Sequence, residues 1–184
     1  MRPRTINREY LLDLAGKIVS SSGAGGLTFG SLANEAGLSK ASIQSAFGTR
    51  EALIEAMLDR WITLEKKHFE QIAGATPSHQ MRVSAHIATT AEEPEAAMRR
   101  VAALLAALAG KEHQIDRAVE WYASRIDGLN AVGRQDRGLR LAFLATEGAF
   151  FMRYFVGFPI PDAIWLDIFN DLKKMSKDGS VSEY

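Results

Sequence analysis

Cysteine is absent from the 184 residues, so neither a disulfide framework nor a thiolate metal site can form. Long apolar runs are missing too. The longest, Val101–Ala109, falls far short of a membrane span. The basic start (Arg2, Arg4, Arg8) leads to Asp13 and Lys17 rather than to an apolar stretch, which argues against a secretory leader. These absences set the expectation of a cytoplasmic protein with no membrane attachment. No alternating Val/Ile/Thr run occurs, and no Asn-Gly or Asp-Gly hairpin joins two such runs, so strands are not expected. Four histidines are present (His68, His79, His86, His113), without HExxH or other ligand spacing. No glycine-rich phosphate loop follows a strand, and no nucleophile elbow appears. The expectation is therefore no enzyme: no catalytic residue, no metal and no cofactor.

What is present is an apolar share of 47%, enough to build a core, and a formal net charge of zero that is unevenly spread. Residues 1–50 carry six Lys/Arg (Arg2, Arg4, Arg8, Lys17, Lys40, Arg50) against three acids. The remainder carries sixteen bases and nineteen acids. A basic head on a mildly acidic body suits a first segment that meets a polyanion.

Helical periodicity with clear punctuation runs along the whole chain. A first helix is predicted from about Asn7 to Ser21, stopped by Gly23, Gly25 and Gly26. Thr28 caps a second helix to Ala36, and Ser39 caps a third to Phe47. Thr49 caps a long fourth to about Ile72, with Met57, Trp61, Leu64 and His68 on one face. A fifth spans Ser78 to Thr89, a sixth Pro94 to Ala109, a seventh Glu112 to Val132. The eighth runs from Gln135 to Val156. After a Pro-containing link, the ninth runs from Pro161 to Ser176. The fold class is all-α, with about nine helices: a three-helix head at the N-terminus and a helical body.

Within that head, Leu32, Ala33, Ala36, Gly37, Leu38 and Ile43 have the spacing of a helix-turn-helix. Ala33 allows close approach, Gly37 can take the left-handed turn, and Ile43 plugs the corner. The other face of the second short helix then carries Lys40, Ser42, Gln44 and Ser45, side chains able to reach base edges or phosphates in a major groove. Thr49 and Arg50, at the start of the long helix, form a candidate phosphate clamp. Thr28 and Ser39, at the two earlier helix starts, are further candidates for phosphate contact.

The stretch Thr28–Leu58 resembles the DNA-binding head of the TetR family of bacterial regulators. The matching features are Thr28, Leu32-Ala33, Ala36-Gly37-Leu38-Ser39-Lys40, Ile43, Phe47-Gly48 and Arg50-Glu51-Ala52-Leu53. The resemblance implies a double-stranded DNA operator as partner, a homodimer through the last two helices, and release by a small-molecule effector, usually as a repressor. The chain departs from the family at Gln44, Ser45 and Ala46, where aromatic or histidine residues often touch phosphates. Gln44 is a candidate reader of an adenine edge, and Arg2 and Arg4 a candidate arm. Residues 1–50 are thus expected to bind DNA and residues 51–184 to bind ligand and dimerise.

For the body, the eighth helix shows two apolar stripes: Leu139, Phe143, Phe150 and Tyr154 on one, Leu141, Leu144, Phe151 and Phe155 on the other. One should face its own core and one a partner, with Trp165, Ile168, Phe169 and Leu172 extending the partner surface. Candidate ligand-binding residues are Trp61, Met98, Leu105, Trp121, Tyr122, Arg125, Glu147 and Phe151. Glu147 is the first-choice polar anchor because it interrupts an apolar helix, and Arg125 the second. The competing reading is a helical dimer that binds a ligand or partner but has lost operator recognition.

Overall fold

The computed structural model describes residues 7–109, 112–126 and 134–178, all helix and connecting turn. Among these residues there are nine α-helices, one π-helical stretch and no strand. The helices are α1 (Arg8–Gly26), α2 (Phe29–Ala36), α3 (Lys40–Phe47), α4 (Arg50–Ala73) and α5 (His79–Glu92). They continue with α6 (Glu95–Leu108), α7 (Glu112–Arg125), α8 (Arg134–Phe150), the π-helix Phe151–Val156 and α9 (Asp162–Asp178). The chain divides into two compact units, Met1–Thr63 with Glu95–Ala109, and Leu64–Pro94 with Gly110–Tyr184. No described helix is long and apolar enough to cross a membrane.

Local chemistry explains the starts of the short helices. Asn7 accepts from the Tyr10 amide at 3.1 Å, and Thr28 and Ser31 form a reciprocal capping box at the head of α2. Ser39 accepts from the Ser42 amide at 3.1 Å, and Thr49 from the Ala52 amide at 3.0 Å. Each cap satisfies an amide that the helix leaves without a partner. Gly37 ends α2 in the left-handed region (φ 63°, ψ 35°), and the Leu38 amide reaches back to the Ala33 carbonyl at 3.0 Å. A Cβ at Gly37 would meet nothing, so backbone strain alone opposes substitution. Gly37→Ala should therefore cost about 1 kcal/mol and lower the melting temperature by about 2–4 °C. An unchanged melt would mean the turn is not held in this conformation.

The first unit packs α1, α2, α3, the start of α4 and α6 around Leu11, Leu32, Ile43, Leu53, Ile54 and Leu104. The second packs α5, α8 and α9 around Val83, Ile87, Leu139, Phe143, Trp165 and Phe169.

Four expectations need correction. The first helix does not stop at the glycines. Gly23 kinks it (φ 66°, ψ 176°) and a last turn continues to Gly26. The lower half of α4 buries Glu65, Phe69 and Ala73, whereas Leu64 is 60% exposed. The register follows an i, i+4, i+8 line because Arg125 packs on Phe69 and pairs with Glu65. The α-helical part of the eighth helix ends at Phe150, and the next six residues widen into a π-helix. That turn carries Arg153 inward, where it pairs with Asp162 at 2.5 Å. Trp165, Phe169 and Leu172 do not extend an outer surface. They are buried within the single chain, Trp165 lying 4.4 Å from Phe169 and 5.6 Å from Tyr154 between ring centroids. Arg2, Arg4, the His113 side chain, Gly128 and the tail after Asp178 lie outside the described residues.

Candidate nucleic-acid interface and ligand site

The head is built around α3. Its inner face seats Ile43 and Phe47, both buried, against Leu32 and Ala33 of α2. Its outer face exposes Lys40, Ala41, Gln44 and Ser45, with Ser42 half-buried beside them. This division follows from the helical period: buried positions four apart leave the intervening ones outward. The two serines are not equivalent. Ser42 Oγ lies 2.8 Å from Ser39 Oγ within the cap, while Ser45 is free of any such link. The hydroxyls of Thr28, Ser39 and Thr49 all accept backbone amides of their own helices. What these helix starts offer outward is their remaining free amides and positive dipole ends.

Arg50 has a different place from the one its position suggests. Its guanidinium turns inward, donating from Nε to the Leu27 carbonyl at 2.7 Å and from Nη2 to the Ala24 carbonyl at 2.5 Å. Those carbonyls close the irregular end of α1, so Arg50 ties the start of α4 to the end of α1 and leaves less charge for a phosphate. Arg60 adds a second tie inside this unit, pairing with Asp13 at 2.8 Å and Glu9 at 3.5 Å.

The candidate ligand residues fall into separate places. Trp61, Met98 and Leu105 belong to the first unit, where Met98 is buried and Leu105 is 39% exposed. Trp121, Tyr122, Arg125 and Glu147 come together in the second. Glu147 accepts from the Tyr122 hydroxyl at 2.6 Å through Oε2 and lies 2.7 Å from His86 Nε2 through Oε1. An ionised carboxylate only accepts, so the proton of that second bond sits on His86 Nε2. His86 lies 4.6 Å from the Phe143 ring and 5.7 Å from the Trp121 ring. Beside them, Arg125 and Glu65 form an ion pair that is almost fully buried, 2% and 4% exposed. The Arg125 guanidinium also stacks over Phe69 at 3.7 Å and over Trp121 at 5.0 Å.

Burial sets the electrostatics here. It raises the Glu65 carboxyl above its usual 4.5, opposed first by Arg125 and then by His86. It lowers Arg125, opposed by Glu65. The Tyr122 phenol is raised by burial and then by the adjacent Glu147 carboxylate, so it stays a donor at neutral pH. Glu65 and Phe143 are not among the residues that the sequence singles out for a ligand site, whereas His86 is one of the large side chains on the helices expected to enclose it. Glu65 gave one usable signal, its place four residues from both Trp61 and Phe69 on the same helix. Among the described residues, no group of three or more His, Asp or Glu could hold a metal ion.

A family described as tetracyclin repressor-like, C-terminal domain, matches residues 80–177, more than half of the chain. The chain belongs to the TetR family of transcriptional regulators. Two solved structures share the fold of this TetR-family chain. A transcriptional regulator from Rhodococcus sp. RHA1 superposes with a TM-score of 0.68 at 16% identity, covering 97% of this chain and all of the other. A TetR-like transcriptional regulator from the same organism gives a TM-score of 0.58 at 16% identity, covering 97% and 98%. No curated protein matches the sequence.

The TetR body also carries an outward apolar face. Of the two stripes on α8, Leu139 and Phe143 lie in the core, at 2% and 3% exposed. Leu141, Leu144, Phe151 and Phe155 point to solvent, with Phe151 and Phe155 stacked at 5.4 Å. Phe151 thus stands on this face, among exposed residues. Ile164 and Leu166 of α9 are exposed as well.

Proposed function

We propose that the protein is a DNA-binding transcriptional regulator that acts as a dimer on a pseudo-palindromic operator and is a repressor released by a small molecule. Residues 1–50 would read DNA and residues 51–184 would dimerise and bind the effector, in the cytoplasm. The observation that carries this reading is the two-sidedness of α3: Ile43 and Phe47 lock it in place while Lys40, Gln44 and Ser45 stand free. A short, firmly seated helix with an outward polar face is what major-groove reading requires. The exposed stripe of Leu141, Leu144, Phe151 and Phe155 supports pairing of two copies, since contiguous apolar surface of this kind marks an interface. Two copies would set their α3 helices roughly 34–36 Å apart, on successive major grooves.

The test is a fluorescence-anisotropy titration of the promoter DNA upstream of the protein's own gene, over a range of salt. Binding should weaken steeply with salt, as phosphate contacts release counterions. Lys40→Ala should lower affinity across all DNA sequences, while Gln44→Ala should cost about 1–3 kcal/mol at one base pair and relax discrimination there. The alternative, a helical dimer without operator reading, has one observation in its favour. With Arg50 turned inward, Lys40 is the single cation on the outward face of α3. Salt-insensitive or absent binding would favour that alternative.

A further inference from the structure

One face of α1 carries Tyr10, Asp13, Lys17 and Ser20, spaced three, four and three residues apart. Together with Arg60 of α4 and Arg100 of α6, these residues line a cleft of about 740 Å³ that opens to solvent. The cleft lies wholly inside the first unit. Its volume is that of a small-molecule site, and its walls are polar rather than apolar.

The charges at its two ends differ. Asp13 is turned to Arg60 at 2.8 Å, and Arg60 also reaches Glu9 at 3.5 Å. Lys17 follows Asp13 by four residues and is left out of that pairing. Arg100 Nη1 donates to Ser20 Oγ at 3.1 Å. Among the described residues, neither Lys17 nor Arg100 pairs with a carboxylate. Ser20 lies one turn beyond Lys17, so the two cations enter the same end of the cleft. Like charges side by side repel, and the fold gains nothing from placing them there. Ser20 Oγ gives its own proton to the Gly16 carbonyl at 2.9 Å, which leaves it an acceptor that aims Arg100. The donors left over are the Lys17 ammonium and the remaining N–H groups of Arg100. A phosphate monoester, with a charge of about −1.5 to −2 at neutral pH, matches two such cations.

At the other end stands Tyr10, 52% exposed and about 10 Å from Lys17 along the helix. Asp13 lies between them, and its carboxylate has acceptor capacity beyond the bond to Arg60. A flat ring, a hydroxyl acceptor and a pair of cations therefore follow one another along α1. That is the order of base, ribose and phosphate in a nucleotide, and a carboxylate is a suitable acceptor for ribose hydroxyls. A bare phosphate would leave Tyr10 and Asp13 without a part. We infer that the cleft between α1 and α6 binds a nucleoside monophosphate. The phosphate lies between Lys17 and Arg100, the ribose hydroxyls donate to Asp13, and the base stacks on Tyr10. The site belongs to the unit that carries α3 and is distinct from the Tyr122–Glu147 cluster of the other unit.

Isothermal titration of the full chain with AMP, adenosine and inorganic phosphate tests this inference. AMP should bind once per chain, at least tenfold more tightly than either of the other two. Lys17→Ala, at an exposed position, should weaken AMP about tenfold by removing a charge-assisted hydrogen bond. Arg100→Ala should weaken it at least as much. Tyr10→Ala should weaken AMP about tenfold through lost stacking and leave inorganic phosphate unchanged. Absence of AMP binding, or binding untouched by Lys17→Ala, overturns the site. Equal affinity for AMP and inorganic phosphate, with Tyr10→Ala silent, overturns the ligand class. A DNA duplex added to the AMP complex should leave AMP bound. Displacement of AMP by duplex, with an equal loss of duplex affinity in Lys17→Ala, would make the cleft a nucleic-acid surface and overturn the inference.

Discussion

Replacing Arg125 by methionine should destabilise the protein by about 3–5 kcal/mol, because it strands the Glu65 carboxylate in a site only 4% exposed. For a chain of this length that is a fall in melting temperature on the order of 10 °C. Methionine keeps an apolar contact with Phe69 and Trp121, so the loss reports the charge rather than a void. The pH dependence that Glu65 contributes should grow in a defined direction. Burial already raises the Glu65 carboxyl above 4.5 in the native state, and Arg125 is the largest influence holding it down. Without Arg125 the native state retains this proton to higher pH than the unfolded chain does. Stability from this group is then complete below about pH 4.5 and is lost as pH rises through the native value. The variant should gain on the wild type as pH is lowered from 7 towards 5 (melts at the two ends suffice). Adding Glu65→Leu should restore most of the loss, since an apolar pair of similar volume avoids the buried charge altogether. A single variant as stable as the wild type, at every pH, would show that the pair is not closed off as described.

Phe151→Asp should convert the protein to a monomer at micromolar concentration. Phe151 is 54% exposed in the single chain and stacks on Phe155 in the middle of the outward stripe. A two-fold interface presents each residue twice, so one substitution acts at two places. Aromatic anchors at such a centre are worth about 2 kcal/mol or more each. Losing both weakens association by about a thousandfold. Light scattering behind size exclusion reads the mass directly, and operator affinity should fall with it because one head alone contacts half a site. Phe143→Leu is the useful contrast: Phe143 is in the core, so the change should lower stability and leave the dimer intact. A dimer that survives Phe151→Asp would place the pairing surface elsewhere.

The parts of this structure that can be read from the sequence are those whose causes lie within one turn. Thr28, Gly37, Ser39 and Thr49 act on amides or carbonyls three to five residues away, so α2, the turn and α3 are visible in the residue order. The outward face of α3 follows from Ile43 and Phe47 by simple periodicity. The features that escape are those decided at a distance. The buried line on α4 passes through Glu65 because its partner waits 60 residues later on α7. The π-helix forms where Arg153 turns in to meet Asp162 across the bend into α9. Arg50 looks like an outward cation from its neighbours alone, and its two carbonyl acceptors, Ala24 and Leu27, belong to the end of another helix. Glu147 stands out as an acid in an apolar helix, yet nothing near it in the chain announces His86 or Tyr122. Two stripes on α8 are plain in the sequence; which one faces solvent depends on where α5 and α9 pack.

Selection of bound duplexes from a random DNA library with the full chain tests the central claim most directly. Enrichment should converge on two inverted half-sites with centres about one helical turn, or a whole number of turns, apart. Gln44→Ala should then relax the preference at one position within each half-site. Failure to enrich any motif over several rounds at low salt would contradict the claim that α3 reads DNA.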